Sequence, residues 1–112
     1  MNSKPFLDAI CKRIVEAYRK AYGNAVEGIF LYGSYARGDY DEESDIDFVA
    51  IVNGDRLDLQ KKCHQVWDEI NKMDLEYDTV TSAQVIPAHE YEKYKGFLSY
   101  YKNIQKEGKR IG

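Results

Sequence analysis

Cysteine is scarce in this chain: only Cys11 and Cys63 occur among 112 residues. They share no C-x-x-C spacing, which argues against a disulfide framework and against a cysteine zinc site. Buried thiols in a reducing cytosol are the expected state. Histidine is equally scarce, and His64 and His89 have no companion at metal-ligand spacing. Both are read as exposed helix residues. Long hydrophobic runs are missing too. The longest is Phe48–Val52, far short of a membrane span. No apolar stretch follows the first charges as a secretory signal requires. These absences predict a cytoplasmic protein with no membrane partner. Positive charge is not in excess either, since the net charge is −3 and the sequence pI about 5.4. Direct nucleic-acid binding is therefore not expected, because phosphate affinity comes from clustered Lys and Arg. An acidic chain can still hold one nucleotide when metal ions bridge carboxylate and phosphate. No Ser-His-Asp or Cys-His nucleophile arrangement stands out.

Apolar residues make up 44% and charged residues 31%, a composition that opposes disorder. The length predicts one domain over residues 1–112, with little room for a second substrate-binding lobe. Ten tyrosines are read as amphipathic packing groups, with an interaction surface as the alternative. The basic residues Lys93, Lys95, Lys102, Lys106, Lys109 and Arg110 are read as a solvated helix face rather than a partner contact.

Ser3 is placed to cap a helix from about Lys4 to Tyr22, whose stripe is Phe6, Leu7, Ile10, Ile14, Ala17, Tyr18 and Ala21. Gly23-Asn24 stops it. Val26–Tyr32 reads as a strand, and Gly33-Ser34 opens a short helix or turn through Arg37-Gly38. Residues 39–44 form an acidic loop. Ile46–Val52 is the second strand, closed by Asn53-Gly54. Asp55 caps a helix to about Met73 with the stripe Leu59, Cys63, Val66, Trp67 and Ile70. Trp67 is read as core rather than a base-stacking platform. Leu75–Val80 is expected to be the third strand. Ser82–Pro87 fits a short strand or a turn. A helical region interrupted at Gly96 follows and ends at Gly108, and Lys109–Gly112 is expected to fray. The order predicts an α/β (α+β) domain in which helices flank a small mixed sheet.

The chemistry sits in the segment GSYARGDYDEESDIDFVAIV, Gly33 to Val52. Along a strand the side-chain period is two, so Asp45 and Asp47 share a face. Two adjacent carboxylates repel unless a cation lies between them. Mg²⁺ suits them, because it prefers oxygen ligands and binds through one or two carboxylates plus substrate phosphates. Gly33, lacking Cβ, lets backbone approach a phosphate. The N–H groups after it offer positive dipole ends, and the Ser34 hydroxyl adds a donor. Neighbouring strands lie only about 4.8 Å apart, so cradle and clamp reach one triphosphate. A tight turn plus a loop-end cap is the purely structural alternative.

Gly33-Ser34-Tyr35-Ala36-Arg37-Gly38, followed by Ser44-Asp45-Ile46-Asp47-Phe48, resembles the signature of the minimal nucleotidyltransferases of the DNA polymerase beta-like superfamily, antitoxin type. The tail Tyr100–Gly108 also resembles the end of these short proteins. The resemblance implies the nucleotidyltransferase fold, ATP as substrate, two Mg²⁺ ions, and transfer of AMP to a hydroxyl with loss of pyrophosphate. It further implies a helical HEPN-type partner, a toxin whose tyrosine receives the AMP. A third carboxylate is implied on the strand after the long helix. In this sequence Asp78 is the residue assigned, with Glu76 as runner-up. Asp45, Asp47 and Asp78 are thus the candidate catalytic and metal ligands. Gly33, Ser34 and Arg37 are the candidate nucleotide-binding residues, with Arg37 free to pair with phosphate or with the acidic loop.

Asp39, Asp41, Glu42 and Glu43 are read as a solvated loop, and Ser44 as a brace before Asp45. Two other readings stay open. One is a non-catalytic module that binds nucleotide or neutralises a helical toxin by complex formation. The other is modification of a small molecule, as in aminoglycoside nucleotidyltransferases, which have a further domain. The oligomeric state is open, a homo-oligomer included.

Overall fold

The computed structural model describes residues 4–41 and 44–112. The expected cap Ser3 and the loop residues Glu42 and Glu43 lie outside them. Helix α1 (Lys4–Tyr22) leads through a 3₁₀ turn (Gly23–Ala25) into β1 (Val26–Tyr32). A one-turn helix α2 (Ser34–Arg37), strand β2 (Ile46–Val52) and helix α3 (Arg56–Tyr77) follow. Strand β3 (Thr81–Pro87), helices α4 (Ala88–Tyr94) and α5 (Ser99–Glu107), and a short β4 (Lys109–Arg110) complete the chain.

The sheet order is β3-β2-β1-β4. β1 runs antiparallel to β2 and β4, while β2 and β3 are parallel. A parallel pair needs a crossover, and α3 supplies it. β2 is a near-continuous apolar run because both of its faces are covered. Ile46, Phe48, Ala50 and Val52 pack on one face with the α1 stripe (Ile10, Ile14, Tyr18) and the α3 stripe (Cys63, Val66, Ile70, Met73). Val49 and Ile51 pack on the other with Ile86, Tyr101 and Ile104. Asp47 is the one β2 residue that is not buried. The edge strand β3 is fastened from below by two side chains: Tyr18 Oη donates to the Gln84 carbonyl at 2.7 Å and Trp67 Nε1 to the Ala83 carbonyl at 3.1 Å.

Two expectations need correction. Leu75–Val80 is not a strand; α3 runs on to Tyr77, and β3 begins at Thr81. The apolar stripe continues Ile70, Met73, Tyr77 at helical spacing, and Tyr77 meets Phe6 edge to face at 5.5 Å. Arg13 of α1 holds Glu69 at 2.7 Å and Glu76 at 2.5 Å, two turns apart on the same face of α3. Asp74 then ends the helix: its carboxylate accepts from Thr79 Oγ1, Thr81 Oγ1 and Thr81 N at 2.6–3.0 Å. The alternation seen at 75–80 arises from exposed residues, among them Leu75 and Val80. Nor does the tail fray. Lys109 and Arg110 pair with β1, Ile111 N donates to Ile29 O at 2.8 Å, and Ile29 N donates to Gly112 O at 3.1 Å. This ladder covers an edge of β1 that would otherwise carry unpaired backbone groups.

Candidate nucleotide-transfer site

Gly33 stands where β1 ends and α2 begins, at φ 74° and ψ −155°. That region of backbone space is essentially closed to other residues. Its carbonyl accepts from Ala36 N and Arg37 N at 3.1 Å, and the Ser34 carbonyl accepts from Gly38 N at 2.9 Å. Gly38, left-handed at φ 86°, ends the turn. The opening N–H groups of α2 have no partner within the helix.

Tyr32 and Asp47 are direct partners in the β1–β2 ladder. The next residue, Gly33, therefore comes against Asp47. A Cβ built on Gly33 would lie 2.6 Å from Asp47 Oδ2. The glycine turn and the carboxylate thus lie within one residue of each other along the β1–β2 ladder. Asp47 is half-buried, and its pKa is raised, first by burial and then by the charge of Asp45. The Asp45 charge thus opposes ionisation of Asp47, a conflict of the kind that a divalent cation relieves.

Ser44 braces the approach to Asp45: Asp41 N donates to Ser44 Oγ at 3.0 Å and Ser44 N to the Asp41 carbonyl at 3.2 Å. Arg37 turns to acidic partners at the surface, with Asp39 and Glu107 each at 3.2 Å. The pairing with the acidic loop that the sequence allowed is made through Asp39.

Asp78 does not join the other two. It caps α3 in the left-handed conformation at φ 55°, with its N–H donating to the Asp74 carbonyl. Among the described residues no three His, Cys, Asp or Glu side chains gather where they could hold a metal ion. Glu76, the runner-up, is engaged by Arg13. The β3 residue in register with Asp47 is Ser82, and Gln84 follows it on that face.

Two further residues border the site. Tyr100 Oη lies 3.0 Å from Tyr32 Oη, and the rings meet edge to face at 5.7 Å. Asp47 acts electrostatically on both phenols, whose pKa values are raised chiefly by burial. A cleft of about 350 Å³ opens beside them, lined by Arg56, Gln60, Gln84 and Tyr101 as well. The helical spacing of Tyr100, Ile104 and Glu107 was the available signal. It puts one α5 face over Tyr32, the core and Arg37 in turn.

A model of the nucleotidyltransferase domain matches residues 11–111. The chain belongs to this family. It is a nucleotidyltransferase.

The nucleotidyltransferase is 35% identical over 98 residues to MJ0604 of Methanocaldococcus jannaschii, to which protein adenylyltransferase activity is ascribed; the match covers 88% of this chain and 90% of that one. A second protein of that organism with the same ascription, MJ0141, is 37% identical over 57 residues, 51% of this chain and 56% of the relative. Among solved structures, a toxin–antitoxin crystallised with AMP-PNP superposes with a TM-score of 0.57 at 18% identity, over 91% of this chain and 72% of that one. A mutant of the toxin–antitoxin MntA–HpeT gives 0.56 at 16%, with the same coverage. At these identities the likeness is one of fold.

Asp45 and Asp47 fit one Mg²⁺ that completes its shell with water and phosphate oxygens. The three-carboxylate set expected for two ions is not assembled among the described residues. No helix among those residues is long and apolar enough to cross a membrane.

Proposed function

We propose that this nucleotidyltransferase moves an adenylyl group from ATP to a hydroxyl of a partner protein, in the setting of a toxin–antitoxin pair. The acceptor is a tyrosine of a helical HEPN-type toxin. Gly33 and Ser34 cradle the phosphates, and Asp45 and Asp47 would hold Mg²⁺. The observation that carries this reading is the close approach of Gly33 to Asp47, where an added Cβ would fall 2.6 Å from Asp47 Oδ2. It leaves no space for a side chain between phosphate turn and carboxylate. Mg²⁺, when bound, supplies neutralisation of the triphosphate charge and acidification of the attacking hydroxyl. Adenylyl as the group moved is supported by the activity ascribed to MJ0604 and MJ0141. The partner setting is supported by the toxin–antitoxin complexes that share the fold.

Arg37 acts here by holding α2 to α5 through Glu107 rather than by reaching for phosphate. Asp78 takes no part. The test is label transfer from α-labelled ATP with Mg²⁺ and the product of the neighbouring gene. The partner should become labelled, and Asp45→Asn, Asp47→Asn or chelation should stop it. Absence of transfer by wild type with ATP binding intact would overturn the reading, as would full activity in either variant.

A further inference from the structure

We propose that Tyr100 is itself an adenylyl acceptor: with ATP and Mg²⁺ present and no partner hydroxyl competing, the protein modifies its own Tyr100. This rests on the adenylyl-transfer reading and adds a modification site to it.

Three observations meet at this residue. Tyr100 Oη is 3.0 Å from Tyr32 Oη, and Tyr32 is both the ladder partner of Asp47 and the neighbour of Gly33. A phenol thus stands beside the carboxylate clamp and the phosphate turn. Of the two phenols, Tyr32 is fixed on a strand. Tyr100 lies in the first turn of α5, just after the irregular connection 95–98, and is 39% exposed. Its backbone lies outside the sheet. Finally, the adjoining cleft of about 350 Å³ falls in the size range of small-molecule sites. Its polar lining (Arg56, Gln60, Gln84) and its Tyr101 ring suit a nucleoside carried on that phenol.

The step balances with ATP as the only co-reactant. Tyr100 Oη attacks the α-phosphorus and forms the O–P bond. The bond from that phosphorus to the α,β-bridging oxygen breaks, and pyrophosphate leaves with the electron pair. The phenolic proton passes to solvent. A hydroxyl held in place gains from proximity what a dissolved acceptor must supply by collision.

The experiment incubates the purified chain with ATP and Mg²⁺, then reads intact mass, peptide maps and thermal melting. One adenylyl group is expected, on the peptide holding Tyr100, at a rate unchanged by dilution. Tyr100→Phe and, separately, Asp45→Asn should each abolish the adduct. An adduct on another residue, one that persists in Asp45→Asn, or one whose rate falls with dilution overturns the proposal. If ATP and Mg²⁺ raise the melting temperature of wild type yet no adduct forms, self-modification is wrong while the transferase reading stands. If they do not raise it, both fail.

Discussion

Replacing Gly33 by alanine tests the core of the site in one step. The substitution forces a Cβ into backbone space that costs about 1–3 kcal/mol for a residue other than glycine. It also places that carbon 2.6 Å from Asp47 Oδ2, where a comfortable C···O approach is about 3.3 Å. Asp47 must therefore retreat by roughly 0.7 Å, and a misplacement of about 1 Å in a reacting constellation costs on the order of a hundredfold in rate. Urea unfolding should show a loss of about 1–3 kcal/mol, and labelled-ATP transfer under conditions where the variant is folded should fall by roughly two orders of magnitude. Gly23→Ala is the control. Gly23 also has a positive φ, 57°, but nothing lies within 4 Å of its added Cβ. It should lose about 1 kcal/mol of stability and keep full transfer. A folded Gly33→Ala protein that transfers as fast as wild type would refute the reasoning, because phosphate turn and carboxylate would then be independent.

Asp47→Asn should abolish transfer yet stabilise the metal-free protein. Side chains two residues apart on extended backbone are about 7 Å apart, so relieving the Asp45 repulsion is worth about 0.6–2.4 kcal/mol for effective dielectrics of about 80 to 20. The exposure of Asp45 favours the lower figure, read as a rise in urea midpoint without Mg²⁺. Asp74→Ala strips the carboxylate from Thr79 and Thr81 and should cost about 1–3 kcal/mol in the same assay. Burial pushes the Cys11 thiol up from 9.0 to about 11. At pH 8 its thiolate fraction is then about a hundredfold below that of an ordinary thiol, so native alkylation should be slow and denatured alkylation fast. The sign for stability follows: the unfolded chain loses the proton first, so stability should fall as pH rises from about 9 toward 11 in melting curves.

Much of the architecture was readable because local signals and tertiary packing agree. The α1 stripe, the β1 and β2 runs and the Asp55 cap, whose carboxylate accepts from Leu57 N at 3.2 Å, fall where periodicity and capping put them. The end of α3 misled because exposed Leu75 and half-buried Tyr77 alternate with charges and imitate a strand. The decisive forces there, Arg13 bridging to Glu76 and Asp74 gathering two threonines, connect residues the local pattern cannot pair. Asp78 was lost with that strand. The nearness of Gly33 to Asp47 was legible since adjacent strands bring a strand's end to its neighbour's start. Tyr100 and Glu107 were not, because their relation to Tyr32 and Arg37 depends on how α5 lies across the sheet.

The union of Arg37 with Glu107 has a consequence for biosynthesis. One member of this pair is encoded about seventy positions downstream of the other. On the ribosome, residues 32–47 emerge well before their counterparts in α5. A nascent chain at that stage exposes an acidic pair and a half-enclosed turn with no opposing helix. The tie between α2 and α5 can therefore close only after α5 has been translated and laid in place.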